Sequence, residues 1–221
     1  MPDTPPLVSA SDITLRAWQT SALELMSSWH EGPFLLSAAP GAGKTIPSLV
    51  YARGLLRAGI VKRVHVVCPT TPLTRQWADA AGRLGVQLAP DPDDLTAPRD
   101  FDGVAATYAR VAQSSKRWAS QCGERTLVIA DECHHLGDEL AWGEGFTRTF
   151  AATSRWLLLS GTPFRSDQCA IAGVRYEQGV AMPDVSYSYA DAVRDGICRP
   201  VAFIPYAVSY THLTLPTKRI V

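Results

Sequence analysis

No apolar run in the sequence reaches the roughly 20 residues a membrane helix needs. The opening MPDTPPLVSASD has no basic segment followed by an apolar one, so no secretory leader is expected. Cysteine is sparse: Cys68, Cys122, Cys133, Cys169 and Cys198 make an odd, widely spaced set of five with no CxxC pair. That pattern argues against a disulfide framework and against a zinc ribbon, and reduced thiols make the cytoplasm the expected compartment. Net charge is also missing, since 21 Lys and Arg balance 21 Asp and Glu. A neutral chain is a weak attractor for nucleic acid, so any such binding must come from a local groove or a partner domain. There is no internal repeat. What is present is an ordinary globular composition, 46% apolar and 19% charged, enough to pack one sizeable domain.

Residues 1–11 are rich in Pro, Ser and Thr and are expected to be a flexible lead-in. Ser11 or Asp12 is placed to cap a helix over roughly 14–30, where Leu15, Trp18, Ala22, Leu25, Met26 and Trp29 recur at helical spacing. Short apolar runs then alternate with helical segments. Strands are expected at 34–38, 64–68, 103–107, 126–131 and 156–160, with helices from the mid-forties to Leu56, from Pro72 to Leu84, and after Thr107. The Pro- and Asp-rich stretch 86–102 reads as a surface excursion. Continuous apolar runs imply strands covered on both faces, and alternation of strand and helix implies an α/β fold with a mainly parallel sheet. In such sheets ligands sit beyond the carboxyl ends of the strands, where the residues with chemistry fall here.

Ala38-Ala39-Pro40-Gly41-Ala42-Gly43-Lys44-Thr45 follows a strand and opens a helix. The spacing is that of a phosphate-binding loop, G-x-x-x-x-G-K-[ST], with Ala38 at its first position. Gly41 and Gly43 let the backbone from Pro40 through Ala42 wrap so that N–H groups point inward at an anion, and the helix N-terminus adds partial positive charge. Lys44 is the expected partner of β- and γ-phosphates, and Thr45 the expected hydroxyl on Mg²⁺. Pro47 stands out, since a missing N–H just past the first helical turn would be costly. Asp131-Glu132-Cys133-His134 closes the fourth apolar strand. Adjacent carboxylates there can divide the labour of an ATPase: Asp131 holding Mg²⁺ through water, Glu132 positioning the attacking water. Neighbouring Cys133, His134 and His135 cannot readily converge on one zinc ion.

The remaining motifs narrow the class. Leu15-Arg16-Ala17-Trp18-Gln19 resembles the glutamine-containing motif that precedes the phosphate loop in superfamily 2 helicases, and Ala38 to Thr45 resembles that superfamily's A-x-x-G-x-G-K-T form. Pro69-Thr70-Thr71-Pro72-Leu73-Thr74-Arg75-Gln76-Trp77 resembles motif Ia, and Thr107-Tyr108 stands where motif Ib belongs. Asp131 to His134 is a DExH box, and Ser160-Gly161-Thr162-Pro163-Phe164-Arg165 resembles motif III. The set is most similar to the restriction-enzyme and excision-repair (ResIII) group of DNA helicases, whose first domain ends in a short helix like Tyr189 to Ile197.

The resemblance implies a RecA-like P-loop NTPase domain that uses ATP and Mg²⁺. It makes Gln19 a partner for adenine, and gives Thr70, Thr71 and Thr107 to a nucleic-acid backbone. His134, Ser160 and Thr162 become the coupling between the acidic box and the nucleic-acid side. It favours DNA as the track and leaves RNA open, with a nuclease or repair subunit as a further partner and no membrane. Residues 12–205 are expected to form this domain and 206–221 a truncated linker, with 208–221 resembling translated adapter read-through. A second RecA-like domain is expected to be absent, leaving a fragment that binds ATP with little turnover. Two other readings stay open: another P-loop ATPase, or a non-catalytic nucleic-acid-binding module.

Overall fold

The computed structural model describes residues 13–137, 140–162 and 169–201. In chain order the strands are β1 (Gly32–Ala38), β2 (Arg63–Cys68), β3 (Leu88–Pro90), β4 (Gly103–Thr107), β5 (Thr126–Ala130), β6 (Arg155–Ser160), β7 (Tyr176–Glu177), β8 (Val180–Ala181) and β9 (Val185–Tyr187). All but β7 and β8 join one sheet of seven strands, ordered β3-β4-β2-β5-β6-β1-β9. Every pairing in it is parallel, while β7 and β8 form a small antiparallel hairpin.

The apolar runs divide by parity, because successive strand side chains face opposite ways. Phe34, Leu36, Val64, Val66, Leu127, Ile129, Leu157 and Leu159 enter one core. Leu35, Val67, Val128, Ala130 and Leu158 enter the other. Three helices cover the first core: α1 (Ala17–Ser27), α2 (Thr45–Arg57) and α3 (Thr71–Arg83). The second lies under α4 (Tyr108–Gln113), α5 (Ser115–Ala119) and α6 (Leu140–Phe150). The short α7 (Tyr189–Arg194) returns to the first core through Ala192. The fold is therefore α/β, with helices on both faces of a parallel sheet. Among the described residues no helix is long and apolar enough to cross a membrane.

Three local expectations are corrected. The first helix begins at Ala17, not near residue 14, and its first turn is closed by Gln19, whose Oε1 accepts from the Arg16 N–H at 2.9 Å. Pro47 is the third residue of α2, where a backbone N–H has no intrahelical acceptor, so proline removes nothing. The stretch 86–102 is not all surface: Leu88–Pro90 pairs with β4, and Val86, Leu88, Ala89 and Leu95 are buried. Its apolar residues anchor an edge strand although Pro and Asp dominate the composition. Residues 1–11, the tail at 206–221, the caps proposed at Ser11 and Asp12, and Pro163, Phe164 and Arg165 lie outside the described residues.

Candidate functional site

The sheet order decides where a ligand fits. The chain leaves β1 and β2 into α2 and α3 on one face, and leaves β5 into a 3-10 turn (Cys133–Leu136) and α6 on the other. Because β5 lies beside β2 and one strand from β1, connections diverge there and open a crevice at the carboxyl edge. Along that edge stand Thr107 ending β4, Thr70 and Thr71 after β2, Asp131 and Glu132 after β5, Ser160 ending β6, and the loop from Ala39 to Lys44 after β1.

The loop is wound as a backbone cradle. Gly41 and Gly43 take φ of +76° and +92°. Among the described residues the N–H groups of Gly43, Lys44 and Thr45 have no backbone acceptor, which leaves them for an anion at the start of α2. The outside of the loop is held by α1 and the residue before it. Gln19 Nε2 donates to the Gly43 carbonyl at 3.0 Å, and Arg16 donates to the Ala42 carbonyl at 2.9 Å. Gln19 is buried, and each end of its amide already has a partner, so it braces the loop; one N–H and one lone pair remain for a base. On the far side Pro40 lies close to Gly161, where a Cβ would come within 3.1 Å of Pro40 Cγ.

Lys44 reaches across the crevice. Its buried Nζ donates to the Ala38 carbonyl at 3.1 Å and lies 3.7 Å from Glu132 Oε1. Glu132 takes a left-handed backbone, φ 51° and ψ 53°, a strained conformation for a residue with a side chain. The turn aims its carboxylate along the edge, where Oε2 lies 3.4 Å from His134 Nδ1 and accepts from the Gly161 N–H at 3.5 Å. His134 Nδ1 is also 3.2 Å from Ser160 Oγ, which accepts from the Thr162 N–H at 3.1 Å. His134 and Ser160 thus meet through side chains, whereas Thr162 joins through its backbone and its side chain is exposed.

Asp131 points the other way. Its Oδ2 accepts from the Trp77 indole N–H at 2.8 Å, and its carbonyl from the Tyr108 hydroxyl at 2.7 Å. Burial raises the Asp131 pKa above the ordinary carboxylate value; the Trp77 hydrogen bond opposes this, the neighbouring Glu132 charge adds to it, and Lys44 opposes it. Burial, and then the two carboxylates, push the Cys133 thiol up, so it stays protonated within the core. Among the described residues no group of three or more His, Cys, Asp or Glu is placed to hold a metal ion. The oxygen atoms on offer, the Asp131 carboxylate and the Thr45 hydroxyl, are hard donors of the kind that suit Mg²⁺ completed by phosphate and water.

Thr70 and Thr71 are exposed where α3 begins, and the Thr70 side chain makes no cap bond there. Thr107 is half-buried beside them, paired with Cys68, and its hydroxyl accepts from the Arg110 N–H at 3.3 Å. Sequence reading missed three supporting residues: Arg16, Trp77 as a hydrogen-bond donor, and Tyr108. The one available signal was that a buried indole or phenol usually finds an acceptor, and the sequence alone does not say which.

A family model described as the type III restriction enzyme res subunit matches residues 12–165. An uncharacterized protein of Mycobacterium tuberculosis is 40% identical over 211 residues, covering 91% of this chain and 35% of that protein. One from Mycobacterium leprae is 39% identical over 202 residues, covering 87% and 34%. The chain therefore spans about a third of the length of the curated relatives it matches. Among solved structures it is similar to the Sulfolobus solfataricus SWI2/SNF2 ATPase core in complex with dsDNA (TM-score 0.58, 18% identity, 68% of this chain and 32% of that one). It is also similar to a nuclease-deletion mutant of the type ISP restriction-modification enzyme LlaGI with a DNA substrate mimic (0.60, 17%, 84% and 21%). A third likeness is to the UvsW helicase of bacteriophage T4 (0.52, 25%, 68% and 53%). At 18% and 17% identity the first two show the fold alone.

Proposed function

The chain belongs to the family of the type III restriction enzyme res subunit, a helicase-like ATPase family, and from that premise we propose that it is the ATP-binding motor domain of a superfamily 2 DNA helicase or translocase. The loop from Pro40 to Thr45 wraps the triphosphate of ATP, with the N–H groups of Gly43, Lys44 and Thr45 as its donors, and Lys44 neutralises the β- and γ-phosphates. Thr45 and Asp131 hold Mg²⁺, the latter through water. Magnesium held there would supply positive charge against the negative charge of the transferring phosphoryl group. Glu132 orients the attacking water and receives its proton, from a position already beside Lys44. Gln19 braces Gly43 and offers its remaining amide valences to adenine. Thr70, Thr71 and Thr107 grip a nucleic-acid backbone, which positions a strand without reading its sequence. His134, Ser160 and Thr162 carry the state of the acidic box along the edge. The likeness of the motif set to the ResIII group of DNA helicases favours DNA as that strand.

The observation that carries the reading is the 3.7 Å approach of Lys44 Nζ to Glu132 Oε1 across the crevice, from the ends of two strands, β1 and β5, that are separated by β6 alone. Its test is nucleotide binding by calorimetry. Lys44→Ala is expected to lose Mg²⁺·ATP binding by at least about tenfold, the worth of a hydrogen bond between charged groups. Glu132→Gln is expected to keep binding and lose hydrolysis. ATP affinity unchanged in Lys44→Ala would remove the reading.

A further inference from the structure

The helices that begin at the proposed nucleic-acid edge and the residue proposed to hold the metal are joined by two hydrogen bonds inside this domain, one to the Asp131 carboxylate and one to its backbone carbonyl. Trp77 stands on α3, about two turns beyond Thr70 and Thr71. Its ring is buried, with 3% exposure, and its N–H ends on Asp131 Oδ2 at 2.8 Å. Tyr108 directly follows Thr107, is 1% exposed, and its hydroxyl ends on the Asp131 carbonyl at 2.7 Å. A phenylalanine at either position would fill similar apolar space, so packing alone does not account for the polar atom each residue carries. Both donors converge on the same residue from the two elements that begin at the threonine edge.

From this convergence we infer that Trp77 and Tyr108 are positioning residues. They transmit occupancy of the threonine edge to the orientation of Asp131, a second route beside the contact of His134 with Ser160. The inference rests on the proposed function. A strand seated at Thr70, Thr71 and Thr107 biases the start of α3 and of α4, and each helix passes that bias to Asp131 through one short bond. By linkage, metal-nucleotide binding must then alter DNA affinity by the same factor that DNA alters nucleotide affinity.

The test is made on the chain as it stands, labelled uniformly with ¹³C and ¹⁵N, with the Trp77 indole N–H resonance, one of six tryptophans, assigned by triple-resonance connectivity in the wild-type protein. That resonance is expected to shift on adding Mg²⁺·ATP and, separately, on adding a DNA oligonucleotide without nucleotide. In calorimetry, DNA is expected to change Mg²⁺·ATP affinity by roughly fivefold or more. Trp77→Phe and Tyr108→Phe are each expected to bring that factor toward one while leaving ATP affinity in EDTA unchanged. Tyr108→Phe, which loses a single hydroxyl, keeps the test decisive should Trp77→Phe fail to fold. A Trp77 signal that answers to nucleotide alone or to neither ligand, or a coupling factor intact in the folded variants, overturns the inference. If the wild-type chain binds neither ATP nor DNA, the proposed function falls and takes the inference with it. Binding of both with a silent Trp77 sinks the inference alone.

Discussion

At Gly43 two constraints meet on one atom. Its φ of +92° is closed to most residues with a side chain, and a Cβ there would come within 3.1 Å of Gln19 Nε2, the group that holds the Gly43 carbonyl. Gly43→Ala therefore imposes about 1–2 kcal/mol of left-handed strain and displaces the brace behind the loop. Against a domain stability of about 5–15 kcal/mol the variant still folds. The expected outcome is a lowered melting temperature by circular dichroism and an ATP affinity reduced about tenfold or more, since the N–H groups that meet a charged phosphate are turned away. Full affinity in the folded variant would mean that the cradle is not formed by these N–H groups. The same residue shows what the sequence discloses about a site. Glycine, lysine and paired carboxylates advertise their chemistry through spacing, so Gly43, Lys44, Asp131 and Glu132 could be assigned to one edge before any coordinates. Trp77, Tyr108 and Arg16 could not. Aromatic residues are ordinary core material, and an arginine near a helix start is ordinary surface, until the fold supplies Asp131 and the Ala42 carbonyl as acceptors.

Among the elements, β2 carries a group whose protonation is coupled to folding. His65 sits in the second core, 5.0 Å from the Trp118 ring in edge contact. The Val104 N–H donates to its Nδ1 at 3.2 Å, which requires that nitrogen to be unprotonated. Burial first, and the Arg63 charge second, push its pKa down from 6.5 to about 3. A folded-state pKa below the unfolded one means that the unfolded chain takes up the proton first. The stability contribution is complete above pH 6.5 and is lost as pH falls toward about 3, at up to about 1.4 kcal/mol per pH unit. Urea unfolding across that range is expected to show this slope, and His65→Phe to reduce it by about one proton's worth; an identical slope in the variant would clear His65 of the effect. The long strands around His65 were legible because each is an apolar run bounded by turn residues. The short ones were not. Leu88–Pro90 contains a proline and Val185–Tyr187 is three residues long, and both are strands because a longer neighbour, β4 or β1, offers its edge. Helix α6 hides for a different reason: Gly143 and Gly145 lower its intrinsic propensity. Packing overrides that, since a Cβ at Gly145 would fall 2.6 Å from the Ala112 Cα of α4.

For the molecule as a whole, the described residues leave the acidic pair and its neighbours partly open to solvent along the carboxyl edge. Glu132 keeps a third of its side chain exposed and His134 a quarter, both along the carboxyl edge where a γ-phosphate would stand. The cation that meets Glu132 at that edge is Lys44, and it approaches from the loop side. Transfer of a phosphoryl group gains about 10³–10⁵ in rate from an arginine that meets the charge developing opposite the cradle. Because the chain spans about a third of its curated relatives, the longer proteins have room for a second domain of this size to supply it. We propose that such a domain completes the motor, with closure on ATP driving movement along DNA. Phosphate release by this chain alone is then expected to fall well below the range of about 1–10³ per second typical of enzymes, whether or not DNA is present, while Mg²⁺·ATP still binds. A version extended to the length of the relatives is expected to gain about 10³-fold or more and to respond to DNA. Turnover of several per second by the present chain would show that the cradle and the acidic pair suffice, and no completing domain would be required.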